Sequence, residues 1–258
     1  MHSRQALLSQ IDDYLNAAPR AFSDVETIGP FTLFFRRDSP MPEINYARPT
    51  APLSGDPREA ISRVRTAFAA RDLVCRWEFL ADLFPTFPAL LQQNGFPEPI
   101  PRPLMVVTRQ TFRSETSAIA EIRRINLEET RAVSDVVHEA FREYSNDPES
   151  VEQERPDFFR SSLERGAGVY AAFVEGRPVA GGVHSPIGDT TEVAGIGTLP
   201  AFRRRGIAGA LTSALVIDAF GCGCECVFLS AADQAVQRVY ARIGFEQIGT
   251  AMDTADTH

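Results

Sequence analysis

Apolar residues recur along the second half of the chain with spacings that alternate between helix and strand. Two sets each share one helical face: Val133, Val136, Val137, Ala140 and Phe141, then Ile207, Ala210, Leu211, Ala214 and Leu215. Further helices are predicted over 156–163 and 235–242, and strands over 120–125, 192–199, 226–230 and 245–250. Residues 169–174 and 178–183 are predicted to form a hairpin around Glu175-Gly176. This alternation predicts a mixed sheet of the α/β or α+β class.

The first hundred residues show a weaker form of the same alternation. Helices are predicted over about 3–16, 58–70 and 87–93, and strands over 31–35, 74–79 and 104–108. A proline-rich passage covers 40–57, and Pro97, Pro99, Pro101 and Pro103 punctuate the end of this part. We therefore predict two domains, over residues 1–110 and 111–258.

A helix followed by Gly-Phe and a strand occurs twice along the chain. Residues 89–96 end in Gly95-Phe96, and residues 237–245 end in Gly244-Phe245. We interpret the two domains as versions of one fold, the first of them degenerate.

Lysine is absent, because all 26 basic residues are arginines. Without lysine there is no Walker P-loop, no pyridoxal phosphate Schiff base and no protein-kinase strand lysine. Up to residue 110 the chain has 12 arginines and 12 acidic residues, so the remainder, with 14 against 22, holds the entire net charge of −8. An acidic C-terminal half is a poor surface for nucleic acid, and we expect no nucleic-acid partner.

The apolar runs and the cysteines indicate the compartment. No run reaches the ~18 apolar residues that a membrane span needs, and residues 1–13 contain acids where a secretion signal would be apolar. The cysteines fit no disulfide framework, since three of the four lie within residues 222–226. We expect a soluble, cytoplasmic protein with no membrane partner.

The strongest chemical signal is the run Arg203-Arg-Arg-Gly-Ile-Ala-Gly209, between a predicted strand and a predicted helix. We call residues 203–209 the anion cradle. A helix start leaves about four backbone N–H groups unpaired and carries the positive end of the helix dipole. Gly206 and Gly209 would let a phosphate approach the backbone, and the arginines add positive charge. An arginine-rich helix start without a ligand is the alternative interpretation.

The strand before the cradle contains Gly195 and Gly197. Glycine within a strand marks a bulge or the close approach of another backbone or a ligand. An amide-bearing chain such as pantetheine could then add to this strand through main-chain hydrogen bonds.

Residues 191–209, together with 231–245, resemble the core of the GNAT acetyltransferases. The coenzyme signature of that family, Gln/Arg-x-x-Gly-x-Gly/Ala, falls on Arg203, Gly206 and Ala208, and the resemblance covers roughly residues 120–251. It implies two GNAT-like domains, of which the C-terminal one is complete and binds acetyl-CoA as co-substrate. The N-terminal domain resembles the degenerate repeat of tandem members, because the equivalent residues 54–58 lack the signature.

The resemblance also assigns roles to particular residues. Backbone groups of Ile196, Gly197 and Thr198 would hold pantetheine. The pyrophosphate would lie on Arg203, Arg204, Arg205, Gly206, Ile207, Ala208 and Gly209. Glu192 takes the place of the general base, and Tyr240 that of the acid that protonates the departing thiolate. Asp233 departs from the family, whose members often carry a coenzyme-binding asparagine there.

The expected reaction is direct transfer of an acetyl group to a primary amine. A base is needed because an alkylamine of pKa about 10.4 is neutral only about once in 10³ at pH 7. Acidic residues crowd 139–157, including Glu149, Glu152 and Glu154. A plain solvated face accounts for them, and the functional interpretation is attraction of a small cationic amine. Acetylation of a protein or peptide, a silent acyl-CoA sensor, and a homodimer are left open.

Two other features are given structural interpretations. The cysteines at 222, 224 and 226 have C-x-C-x-C spacing with no histidine nearby, so we predict a helix-to-strand junction and no metal. His138 and His184 are interpreted as structural residues, for lack of a convincing Ser-His-Asp order.

Overall fold

The structure is a computed structural model that describes residues 3–37, 44–53, 56–142 and 158–257. Ser54-Gly55 and most of the acidic stretch, with Glu149, Glu152 and Glu154, lie outside the described residues. Helices in the described part are α1 (Arg4–Ala17), α2 (Arg58–Ala69), α3 (Phe87–Gln93), α4 (Thr130–Arg142), α5 (Phe158–Glu164), α6 (Ile207–Gly221) and α7 (Gln234–Arg242). Strands are β1 (Ser23–Ile28), β2 (Phe31–Arg36), β3 (Tyr46–Pro49), β4 (Arg76–Leu80), β5 (Ile100–Val107), β6 (Glu121–Arg124), β7 (Gly168–Val174), β8 (Arg177–Ile187), β9 (Thr190–Thr198), β10 (Cys226–Ser230) and β11 (Glu246–Ala255).

The chain divides into two units, Met1–Leu104 with Ile248–His258, and Met105–Gln247. In the first unit the strand order is β1-β2-β3-β4-β11, with β3 and β4 parallel and the other pairs antiparallel. Its core is aromatic: Trp77 contacts the rings of Phe31 and Phe87 at centroid distances of 4.8 and 5.2 Å. These rings pack at steep angles, the arrangement that their quadrupoles favour.

The end of the chain belongs to the first unit. Residues 251–255 of β11 pair antiparallel with residues 76–80 of β4. Asp253, which is 12% exposed, accepts from Arg76 at 3.1 Å and from Arg102 at 2.7 Å. The sequence boundary after residue 110 instead assigns residues 248–258 to the second domain.

In the second unit the strand order is β10-β9-β8-β7-β6, with β9 and β10 parallel and the other pairs antiparallel. One face carries α6 and α7, whose Leu211, Leu215 and Tyr240 share a cluster with Val193 of β9. The other face carries α4, whose Val133 and Val137 pack with Ala194. The predicted mixed α/β fold is therefore confirmed.

Both units follow one element order. Three antiparallel strands (β1-β2-β3 and β7-β8-β9) precede a helix and a strand parallel to the third of them, and then a short helix ending at Gly-Phe. The start of α2 differs from that of α6, since Asp56 and Glu59 place negative charge there. Such charges oppose a phosphate, although Arg58 at the same start pairs with Asp56 at 3.6 Å. That the first unit binds no coenzyme stays a prediction.

The strands differ from the prediction in several places. The strands β1 and β3 were not predicted, and β5 begins at Ile100 and so runs through Pro101 and Pro103. The first two residues of β5, Ile100 and Pro101, are solvent-exposed, where a proline removes no buried hydrogen bond, whereas Pro103 is half-buried. Among the described helices, none is long and apolar enough to cross a membrane.

Candidate active site

The parallel strands β9 and β10 pair with each other only over their first residues. Cys226, Val227 and Phe228 pair with Thr190, Thr191 and Glu192. Within the described residues the ladder is not continued beyond Glu192, although β9 extends to Thr198 and β10 to Ser230. We call residues 193–198 the open segment, because its backbone faces the gap between the two strands. It offers main-chain donors and acceptors to an extended ligand.

A β-bulge interrupts the open segment. Gly181 pairs with Gly197 while Val183 pairs with Ala194, so β9 contains one residue more than β8 over this stretch. Gly195 takes up the extra length with φ of 62°, a left-handed conformation that favours glycine. The bulge expected from the glycines is present.

The bulge decides which side chains share a face of the sheet. Val193 and Ile196 pack in the cluster with α6, whereas Ala194 packs against α4. A Cβ on Gly197 would lie 3.1 Å from Val137 Cα of α4. Alternation along β9 then puts Glu192 on the α4 face, with Ala194 and Gly197.

The anion cradle has the geometry of a helix start that is open to a ligand. Gly206 is the N-cap of α6 with φ of 79°, and Arg204 before it also has a positive φ, of 60°. No side chain in the described part of the chain caps this helix. Apart from Gly206 itself and its two chain neighbours, no described atom lies within 4 Å of the position of a Cβ on Gly206. The first N–H groups of α6 are thus arranged for an anion.

The space beside Gly209, where a phosphate was expected to approach the backbone, is occupied. A Cβ at Gly209 would overlap the carboxylate of Glu115. The other oxygen of Glu115 accepts from Arg242 Nε at 3.1 Å, and its backbone N–H donates to Ser213 Oγ at 2.9 Å. Sequence analysis missed Glu115, and no spacing signal connects it to a helix that begins more than ninety residues later. Gly206, and not Gly209, is where a phosphate would find room.

The three arginines of the cradle have different surroundings. Arg203 Nε donates to the carbonyl of Thr198 at 3.1 Å, and its Nη2 donates to the carbonyl of Ala140 at 2.9 Å. Arg204 and Arg205 are exposed, and the Arg205 guanidinium lies 5.6 Å from the centroid of the Phe202 ring. The guanidinium groups of Arg204 and Arg205 are therefore the solvent-facing charges of the cradle.

The structure places the two candidate catalytic residues on opposite faces of the sheet. Glu192 is partly exposed at the last pair of the β9–β10 ladder. Tyr240 on α7 is 7% exposed in the α6-side cluster, with its ring 5.9 Å from that of Phe245. Burial raises the pKa of Tyr240 from 10.0 to about 12, so the phenol stays protonated at neutral pH. The gap between β9 and β10 begins at Glu192.

Asp233 has a structural role. The family resemblance had made a contact between this residue and the coenzyme doubtful. Asp233 is the N-cap of α7, and its Oδ1 accepts from the backbone N–H of Val236 at 2.8 Å. This is the usual way in which aspartate satisfies a free N–H at a helix start. The carboxylate is therefore engaged with α7.

His184, Cys224 and Cys226 lie in the interior, whereas Cys222 is exposed. His184 is fully buried, and its Nε2 is 2.8 Å from Asp218 Oδ2. Burial lowers the pKa of His184 despite that carboxylate. For the cysteine thiols burial has the opposite effect on the pKa, because it disfavours the charged thiolate. It raises the pKa of Cys224 to about 11 and that of Cys226 to about 12, which keeps these thiols protonated. No group of residues suited to a metal lies in the described part of the chain.

The comparisons with known proteins agree with this geometry. Residues 133–245 match the model of the Acetyltransferase (GNAT) family. A GCN5-related N-acetyltransferase from Kribbella flavida aligns over 97% of this chain and 96% of its own, with 25% identity and a TM-score of 0.79. The second unit thus contains a domain of the GNAT acetyltransferase family, and the chain as a whole shares the fold of a GCN5-related N-acetyltransferase.

Two more distant structures share the fold. A GCN5-related N-acetyltransferase from Sphaerobacter thermophilus is 16% identical with a TM-score of 0.66, covering 88% of this chain and 76% of its own. A tandem GNAT protein from the clavulanic acid biosynthesis pathway is 12% identical with a TM-score of 0.58, covering 87% and 77%. The comparison with curated proteins gives no significant match.

Proposed function

We propose that this chain transfers an acetyl group from acetyl-CoA to a primary amine, with a small cationic amine as acceptor. The observation that carries the proposal is the open segment of β9 leading into the uncapped start of α6. The first suits the amides of a pantetheine arm, and the second suits a pyrophosphate. The two follow one another along the chain in the order in which these parts follow one another in the coenzyme.

The residues at this place fit the coenzyme in a further respect. The buried Oγ1 of Thr198 has no hydrogen-bond partner among the described residues. Such an orphan polar atom costs stability unless a ligand or water satisfies it. It lies at the end of the open segment, where pantetheine would run beside Ile196, Gly197 and Thr198. Arg204, Arg205 and the N–H groups from Ile207 to Gly209 would then face the phosphates.

The proposed chemistry is one displacement with three proton transfers. Glu192, directly or through water, takes a proton from the protonated amine, which then attacks the thioester carbonyl. Backbone N–H groups of the open segment stabilise the oxyanion. The C–S bond breaks as the amide forms, and Tyr240 gives its proton to the departing thiolate. The nitrogen that has attacked loses its second proton, which returns through water to Tyr240. Base and acid would approach the thioester from opposite faces of the sheet, which separates their roles.

The test of this proposal is a thiol-release assay with acetyl-CoA across polyamines, amino acids, aminoglycosides and peptides. The expected result is turnover with small amines whose rate falls as ionic strength rises, because the acidic half of the chain attracts cations. Preference for peptides would favour a protein acetyltransferase. Acetyl-CoA binding without turnover of any acceptor would instead make the chain a sensor.

The buried position of Tyr240 predicts the alkaline side of the pH profile. Because burial raises the pKa of Tyr240 to about 12, kcat/KM should show no loss from this group below about pH 11. Tyr240→Phe should lower kcat by about tenfold, a modest effect because an alkyl thiol of pKa about 8.5 leaves readily. The measurement is the profile from pH 6 to 11 for both proteins. A wild-type decline with a pKa near 10 that vanishes in Tyr240→Phe would contradict the prediction.

A further inference from the structure

The guanidinium of Arg203 connects two elements of the second unit. Its Nε contacts the carbonyl of Thr198 at the end of β9, and its Nη2 contacts the carbonyl of Ala140 in the last turn of α4. We propose that Arg203 is a positioning residue that fixes α4 on the coenzyme strand for acceptor alignment, and that it adds little to coenzyme affinity. The proposal rests on the proposed function, and it separates Arg203 from the other two arginines of the cradle.

The contact with Arg203 lies in the last turn of α4 as described. Ala140 is 3% exposed, so its carbonyl accepts this hydrogen bond in a buried place. A guanidinium there satisfies the carbonyl and meets the negative end of the helix dipole. The backbones are already close, since a Cβ on Gly197 would lie 3.2 Å from Ala140 Cβ. Arg203 therefore stabilises the close packing of α4 on β9, which Gly197 permits because it has no side chain.

The same hydrogen bonds direct Arg203 away from a phosphate. The donors of a guanidinium lie in a rigid planar fork, so fixing Nε and Nη2 on two carbonyls fixes the whole group. Arg204 and Arg205 remain exposed beside the open N–H groups of α6. The phosphates of the coenzyme would therefore be bound by Arg204, Arg205 and the start of α6.

The position of α4 matters for the chemistry because Glu192 faces it. The acceptor amine must meet Glu192 on the α4 face of β9, so α4 borders the space in which the amine is aligned. A displacement of about 1 Å between reacting groups can cost ~10²-fold in rate. Loss of the Arg203 contacts should therefore appear in acceptor kinetics.

The experiment compares Arg203→Gln with Arg204→Gln and Arg205→Gln in the full chain. Calorimetry with acetyl-CoA gives the Kd, and steady-state assays with the best amine from the panel give kcat and acceptor KM. Arg203→Gln should change the Kd by less than about twofold while lowering kcat/KM for the amine by about 30-fold. Arg204→Gln and Arg205→Gln should each raise the Kd by about fivefold, since each removes one phosphate-facing charge.

Arg203→Lys tests positioning against a general loss of structure. An ammonium can reach one of the two carbonyls, so this variant should recover part of the lost kcat/KM at an unchanged Kd. A Kd raised by Arg203→Gln or Arg203→Lys as much as by Arg204→Gln would overturn the proposal, as would unchanged acceptor kinetics. Failure of the wild-type chain to bind acetyl-CoA would instead overturn the proposed function itself.

Discussion

Glu192→Gln is expected to lower kcat by about 10²-fold or more while leaving acetyl-CoA affinity nearly unchanged. An alkylamine of pKa about 10.4 must lose a proton before it attacks, which costs roughly 4–5 kcal/mol at pH 7. Glutamine has nearly the same shape as glutamate but accepts no proton. Because Glu192 lies on the α4 face and not in the anion cradle, the coenzyme contacts should survive. Calorimetry and steady-state kinetics give the two quantities separately.

The pH profile makes this prediction specific. Proton removal is hardest at low pH, so the acidic limb of kcat should change when the carboxylate is lost. Glu225→Gln is the matched control, since it removes the same charge at an exposed position just before β10. If Glu192→Gln keeps both the wild-type kcat and the same acidic limb, a water chain ordered by other groups is the better account of the base.

Gly206→Glu is expected to raise the acetyl-CoA Kd by about 10²-fold or more. The new side chain would enter the open space at the start of α6, and its carboxylate would repel the pyrophosphate and compete for the same N–H groups. A non-glycine residue at φ of 79° also costs about 1–2 kcal/mol of stability. Calorimetry on the folded variant measures the change in affinity.

Gly176→Glu is the control that shares the strain. Gly176 lies in the turn between β7 and β8 with φ of 76°, and no described atom lies within 4 Å of the position of its Cβ. The same glutamate is thus placed in the same backbone conformation and in equally open space. It should lower the melting temperature to a similar extent without changing the Kd. If the folded Gly206→Glu protein binds acetyl-CoA with unaltered affinity, the coenzyme does not bind at this helix start.

The sequence predicted most elements of the fold because their apolar patterns are strong. The helix α3 and the strand β10 have the predicted bounds, and the hairpin turns at Glu175-Gly176, where both residues have positive φ. The strand β1 escaped notice because only its first residue is buried. The strand β3 lies within the proline-rich passage and is four residues long. Short or exposed strands carry little periodicity, so pairing with neighbours decides them.

The site could be predicted where it depends on local sequence and not where it depends on the fold. The left-handed Gly206 and the bulge at Gly195 follow from glycines at marked positions. The placement of Gly197 on the same face as Glu192 depends on that bulge, because one extra residue reverses the alternation beyond it. The partner of Arg203 lies 63 residues earlier in the chain, at Ala140. Neither spacing nor composition reveals such a contact.

The return of β11 to the first unit has a consequence for how the protein is made. Residues 3–104 emerge from the ribosome first, yet Asp253 and the strand that pairs with β4 come about 150 residues later. At 5–20 residues per second the early segment waits roughly 8–30 s with one edge of β4 unpaired. An unpaired strand edge invites pairing with another chain. Nascent chains of this protein are therefore expected to expose a strand edge during that interval, and fragments cut before residue 251 should aggregate.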